Sequence, residues 1–151
     1  MGLFSNLRKA TGAKSVADDT ARAVIAMPIM VAAADGKLDR SEIDQIINMC
    51  AYSPIFHAVG AERTQKLIME CLETIKAKGS EALFTQVAST LSPQMAETAL
   101  CFAIRTALAD GHLDQSEKDM LMAMASRMGI EPDTFIKMFD VMVILQRPAA
   151  A

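Results

Sequence analysis

Tryptophan is absent from this 151-residue chain, tyrosine occurs once and phenylalanine six times. Aromatic and β-branched side chains favour strands, and no segment alternates apolar and polar residues for long, so a β-sheet protein is excluded. Cysteine is scarce too. Cys50, Cys71 and Cys101 are odd in number, far apart and without a Cys-x-x-Cys pair, as expected of reduced, buried thiols in a cytosolic protein. The two histidines, His57 and His112, belong to no Glu-x-x-His or His-Glu-x-x-His pattern, which removes the di-iron bundle and the zincin. No serine or cysteine has a recognisable base partner in sequence, so hydrolysis would need a metal-activated water. A protein without enzymatic activity is expected.

Long apolar runs are missing as well. The longest, Ala23 to Ala34, has 12 residues and contains Pro28; a membrane-spanning helix needs about 20. Basic residues near the N-terminus are not followed by an apolar stretch, so there is no secretory signal. A net charge of −3 leaves no general basic face for phosphates, and nucleic acid is not an expected partner. These absences predict a soluble, cytoplasmic protein.

What the chain does have is a helical composition. It is 52% hydrophobic with 12 methionines, and alanine and methionine are strong helix formers. Apolar residues recur at three- and four-residue spacing, as in Leu67, Ile68, Cys71, Leu72 and Ile75. The spacing predicts an all-α, single-domain bundle of six to seven helices over 15–145, with a loose tail at 146–151. The most apolar helix, from Ser15 or Asp18 to Ala34, should be central, and Pro28 should kink or interrupt it. Ser53-Pro54 should end the next helix. Helices follow over Ala61–Lys78, from Ser80 to about Thr90, from Ser92-Pro93 through Leu108, over Glu117–Met128, and from Glu131-Pro132 through Val143.

Charge is unevenly placed. Residues 1–16 carry Arg8, Lys9 and Lys14 and no acid, leaving −6 on the remainder. With Leu3, Phe4 and Leu7, residues 1–14 form either a frayed terminus or a short helix that docks on a partner or on the inner membrane surface.

The chain also repeats itself. Residues 34–44 read ADGKLDRSEID and residues 109–119 read ADGHLDQSEKD, identical at eight of eleven positions and 75 residues apart. Much of this unit is what two helices need at a corner. Gly36 and Gly111 suit a left-handed helix end. Asp39 with Glu42, and Asp114 with Glu117, have the spacing of a capping box. Asp35 and Asp110 are different. Each sits at the negative end of a helix, where an anion is unfavourable by about 0.3–1 kcal/mol, and a bound cation would reverse that penalty. The pattern D-G-x-L-D-x-x-E also matches the second half of an EF-hand loop. The first half is missing, because the earlier ligand positions fall on Val31 and Ala33 in one copy and on Thr106 and Leu108 in the other. Two readings stay open: capping alone, or a hard-oxygen site formed by Asp35, Asp39, Glu42, Asp110, Asp114 and Glu117. Such a site suits Ca2+ first, and Mg2+ or Mn2+ next. A shared ion requires the two turns to lie close together. A third reading is a metal-free interaction scaffold using a Met-rich helical surface (Met120, Met122, Met124 and Met128), against a methionine-filled core.

At these residues the sequence resembles the TerB family, the helical cytosolic component of bacterial tellurite-resistance systems. The resemblance rests on ADGKLDRSE and ADGHLDQSE at the ends of Ala-rich helices, reinforced by RMGIEPDTF at 127–135, and covers about residues 15–140. It implies an all-helical, metal-binding scaffold in a stress response, working beside other Ter-system proteins, a membrane-bound one among them. It carries the acidic positions onto the six residues above. A homodimer is among the assemblies left open. The high methionine content and the SPIFH segment at 53–57 depart from the family pattern.

Overall fold

The computed structural model describes residues 3–34, 36, 38–109 and 111–149, with side chains from Val16 onward. Asp35 and Asp110 therefore lie outside the described residues, as do the side chains of the basic N-terminal segment. The described residues form eight α-helices and no strand: α1 (Leu3–Ala33), α2 (Arg40–Ala51), α3 (Pro54–Val59), α4 (Ala61–Lys78), α5 (Ser80–Ala88), α6 (Pro93–Ala107), α7 (Gln115–Arg127) and α8 (Pro132–Leu145).

α1 is the hub. From Ala23 to Ala32 every side chain is buried, and the helix packs along α6 while α2, α3, α4 and α5 cover its other sides. Burying side chains such as Ile25, Met27 and Ile29 contributes about 1.5–3 kcal/mol each. The helix runs through Pro28 without interruption. The proline ring is itself buried in this fully packed stretch, so tertiary contacts outweigh the one lost backbone donor. α1 also begins at Leu3, a dozen residues before the expected start.

The eighth helix comes from Ser53-Pro54. These residues end α2 as expected, but they also start α3, with Ser53 as N-cap and Pro54 in the first turn. Ser92-Pro93 starts α6 in the same way, with the Ser92 hydroxyl accepting from the Met95 amide at 3.2 Å. Proline suits a first turn because its missing N–H has no intrahelical acceptor there. Phe56 of α3 is buried and meets the Phe102 ring of α6 at 5.7 Å between centroids.

Two arginines fasten helices together. Arg63 of α4 grips Asp18 of α1 with two bonds, of 2.6 and 2.8 Å, and also reaches Glu70. The guanidinium holds the Asp18 carboxyl below the usual carboxylate range. Arg127, in the last turn of α7, grips Glu81 of α5 at 2.6 and 2.9 Å and lies over the Phe84 ring. At the other end of α7, Lys118 lies over Phe139 of α8. Both ends of α7 are therefore anchored to neighbouring helices.

All three cysteines are free, with Cys50 and Cys71 buried and Cys101 half-buried. Burial pushes the Cys50 thiol up to about 12 and Cys71 to about 11. Among the described residues, no helix is long and apolar enough to cross a membrane.

Candidate functional site at the paired acidic turns

Gly36 and Gly111 both adopt positive φ, at 81° and 79°. Each reverses the chain after a long helix, where a side chain would be strained. The Gly36 amide then donates to the Ala33 carbonyl and the Gly111 amide to the Leu108 carbonyl. Asp39 and Asp114 follow as N-caps with nearly the same backbone angles. The same local chemistry thus brings α2 back from α1 and α7 back from α6.

The two turns meet. A cavity of about 430 Å³ is lined by the end of α1 (Val31, Ala32, Ala34), the start of α2 (Ser41, Glu42, Gln45), the end of α6 (Thr106, Ala107, Ala109) and the start of α7 (Asp114, Ser116, Glu117). Segments 75 residues apart in sequence share its wall because α1 and α6 pack along each other. Of the six expected site residues, Glu42, Asp114 and Glu117 line the cavity. Asp39 sits exposed at the cap of α2, and Asp35 and Asp110 are not among the described residues.

Hydrogen bonding differs between the turns. At the first, the capping box closes in both directions: the Glu42 amide donates to Asp39 Oδ1, and the Asp39 amide donates to Glu42 Oε2, both at 2.9 Å. At the second, the Glu117 amide donates to Asp114 Oδ1 at 2.8 Å, and the Ser116 hydroxyl donates to the same oxygen at 2.6 Å. The Ser116 hydroxyl, followed by the backbone amides of Glu117 and Ser116, holds the Asp114 carboxyl below the usual range. The Glu117 side chain is half-buried, and its Oε2 is shielded from solvent.

Electrostatically, the cavity faces two positive helix ends (α2 and α7) and two negative ones (α1 and α6). These partial charges, roughly half a unit each, largely cancel. The side chains then set the sign. Among the described residues, three carboxylates line the cavity and no lysine or arginine does. With the hydroxyls of Ser41, Thr106 and Ser116 and the amide of Gln45, the polar side-chain atoms are chiefly hard oxygens, the donor chemistry of Ca2+, Mg2+ and Mn2+ rather than of softer metals. Among the described residues, no three His, Cys, Asp or Glu side chains are grouped closely enough to hold an ion.

Two further features of the wall follow from the repeat. Serine is one of the eight repeated positions, and capping by aspartate and glutamate leaves Ser41 and Ser116 unexplained. Thr106 stands where the first copy has Val31, so its hydroxyl enters one side of the wall only. Elsewhere, His57 Nε2 bonds to the Ala51 carbonyl and so joins α3 to the end of α2. His112 is exposed.

Comparison with known proteins agrees with this architecture. The sequence model of the family described as tellurite resistance protein TerB matches residues 21–139. No curated protein and no solved structure matches the chain. The matched span runs from the buried part of α1 into α8 and includes both acidic turns. The chain therefore belongs to the TerB family.

Proposed function

We propose that this TerB-family protein is a non-enzymatic helical component of a bacterial tellurite-resistance or stress-response system. In this reading it binds a divalent cation between its paired acidic turns, calcium in preference to magnesium or manganese. The observation that supports it most is the shared cavity, whose described wall holds Glu42, Asp114 and Glu117 and no basic residue. A complete ligand set would also draw on Asp35 and Asp110, the helix-end aspartates that capping does not explain, with Asp39 at the rim. Other Ter-system proteins, a membrane-bound one among them, are the proposed partners, with the chain cytoplasmic and peripheral to the inner membrane.

The alternative of a Met-rich docking surface finds less support. Of the four methionines on and just after α7, Met124 is buried, Met120 and Met128 are half-buried, and Met122 alone is exposed. Most of that sulfur fills the core.

Calorimetric titration of the chelator-treated protein with calcium, magnesium and manganese tests the proposal. Saturable binding that disappears when Asp35→Asn is combined with Asp110→Asn is the expected result. Absence of binding by all three ions at about millimolar concentration, the weak end of protein calcium sites, would overturn it.

A further inference from the structure

Five positions related by the 75-residue offset line the cavity from both sides. Four of them hold the same residue twice: two alanines, a serine and a glutamate. The fifth is Val31 on the first side and Thr106 on the second. Both side chains are branched at Cβ, and threonine is no better a helix former than valine. Neither shape nor helix propensity therefore calls for the exchange. What it adds to the wall is one hydroxyl.

That hydroxyl stands at a particular place in the turn. In a calcium loop the sharp turn is made by glycine at the sixth position, and the first, fifth, ninth and twelfth positions serve the ion. With Gly111 sixth, Thr106 is first, Asp110 fifth, Asp114 ninth and Glu117 twelfth. Thr106, Asp114 and Glu117 all line the cavity, and Asp110 lies outside the described residues. The first turn brings an oxygen to the wall from only one of these positions, Glu42, because its first position is Val31 and Asp39 sits outside the wall. The Thr106 hydroxyl donates to the Phe102 carbonyl at 2.9 Å. That bond uses its one hydrogen and leaves the oxygen as an acceptor, the state in which a hydroxyl coordinates a hard cation.

We propose that the Thr106 hydroxyl is a direct ligand of the cation, at the first position of the second turn. The inference rests on the cation reading above and sharpens it. The ion belongs chiefly to the second turn, with Glu42 contributing from the first. Threonine is neutral where a standard loop has aspartate, and affinity in such loops follows the charge count and rigidity of the ligands. The site is accordingly of the weak class, with a dissociation constant on the order of 10⁻⁴ to 10⁻³ M.

Calcium calorimetry on the full chain tests it, together with terbium luminescence lifetimes, which count the waters on a bound ion. Thr106→Val makes the second side match the first. It should weaken calcium binding about tenfold, the lower end of what lost metal-site groups cost, and add about one water to bound terbium, since water takes the vacated place. The thermal midpoint of the calcium-free variant should stay near that of wild type, which separates a ligand from a packing residue. Thr106→Ser keeps the hydroxyl and should bind within about threefold of wild type, with no added water. Thr106→Asp supplies the carboxylate of a standard loop and should tighten binding about tenfold. A Thr106→Val chain that binds calcium as wild type does, with the same water count, overturns this proposal and leaves the cation reading standing. So does a folded Thr106→Asp chain that binds no more tightly than wild type. A wild type that binds none of the ions overturns both.

Discussion

The two halves of the molecule use the same helical positions for different purposes. Every buried residue of α6 (Ala96, Ala99, Leu100, Ala103, Ile104 and Ala107) has a buried counterpart 75 residues earlier in α1. α1 also buries Ala23, Ala26, Met27, Met30 and Val31, whose counterparts Thr98, Cys101, Phe102, Arg105 and Thr106 are half-buried or exposed. The difference follows from the neighbours. α1 is wrapped by α2, α3, α4 and α5 as well as α6, whereas α6 packs chiefly on α1, α7 and α8 and meets α3 through Phe102. The turns differ in the same sense. The first closes its carboxylates into a reciprocal box and presents Val31 to the cavity. The second binds Asp114 from one side and presents Thr106. One half is the scaffold, and the other brings more polar groups to the shared cavity.

The largest effect should come from breaking this contrast at one helical position. Met30→Ala removes a side chain that is 6% exposed in α1 and should cost about 2–3 kcal/mol. Arg105→Ala, at the matching place on α6, should stay within about 0.5 kcal/mol of wild type. Urea unfolding of both variants measures the difference. Equal costs would mean that the two halves are packed alike.

The next contrast is between the glutamates. Glu42 Oε2 is held by the Asp39 amide, whereas Glu117 Oε2 is shielded from solvent in a residue that lines the cavity. If a cation occupies the cavity, Glu117→Gln should weaken its binding about tenfold, or about 1.4 kcal/mol. Glu42→Gln should weaken it less. Calorimetry with calcium ranks the two, and the reverse order would make the first turn the principal site.

Stability should rank them the other way. Asp39→Ala removes a helix cap and should cost about 1 kcal/mol. Glu42→Ala breaks the other arm of the same box, and the double variant should cost less than the sum, because the two bonds form one unit. Glu117→Ala leaves the amide bond to Asp114 intact, so the capping component of its cost should be smaller. Thermal melts at low calcium separate capping from ligand effects.

Much of this architecture could be read from the residues, and the failures have physical causes. The turn glycines, the aspartate caps and the bounds of α4 follow from local chemistry: a backbone that needs positive φ, an orphan amide that needs an acceptor, and an apolar stripe every three or four residues. The errors arose where one residue has two roles or where packing overrides propensity. Ser53-Pro54 reads as a stop to α2, and it also starts α3. Pro28 reads as a kink or an interruption; α1 passes through it without interruption, in a stretch where every neighbouring side chain is buried. The carboxylates read as a set from their repeat, but the difference between the two sides depends on Thr106 and Val31 lining the same cavity. Helix packing creates that relation, and no spacing within one turn encodes it.

The smallest predicted effect concerns the second turn alone. The Ser116 hydroxyl is the largest influence holding the Asp114 carboxyl below its ordinary value, with the backbone amides of Glu117 and Ser116 adding to it. A carboxyl whose folded pKa lies below its unfolded one stabilises the fold above the unfolded value, and that contribution is lost as pH falls through the folded value. The second turn should therefore loosen only below about pH 4, the ordinary aspartate range. Ser116→Ala should move the Asp114 titration upward towards that range, so the acid-dependent loss of stability at the second turn should be smaller. Carboxyl-carbon NMR titration follows Asp114 directly. No upward shift in the variant would mean that the 2.6 Å hydroxyl contact does not govern this carboxylate, and the hydrogen-bonding contrast between the two turns would then rest on their backbone amides alone.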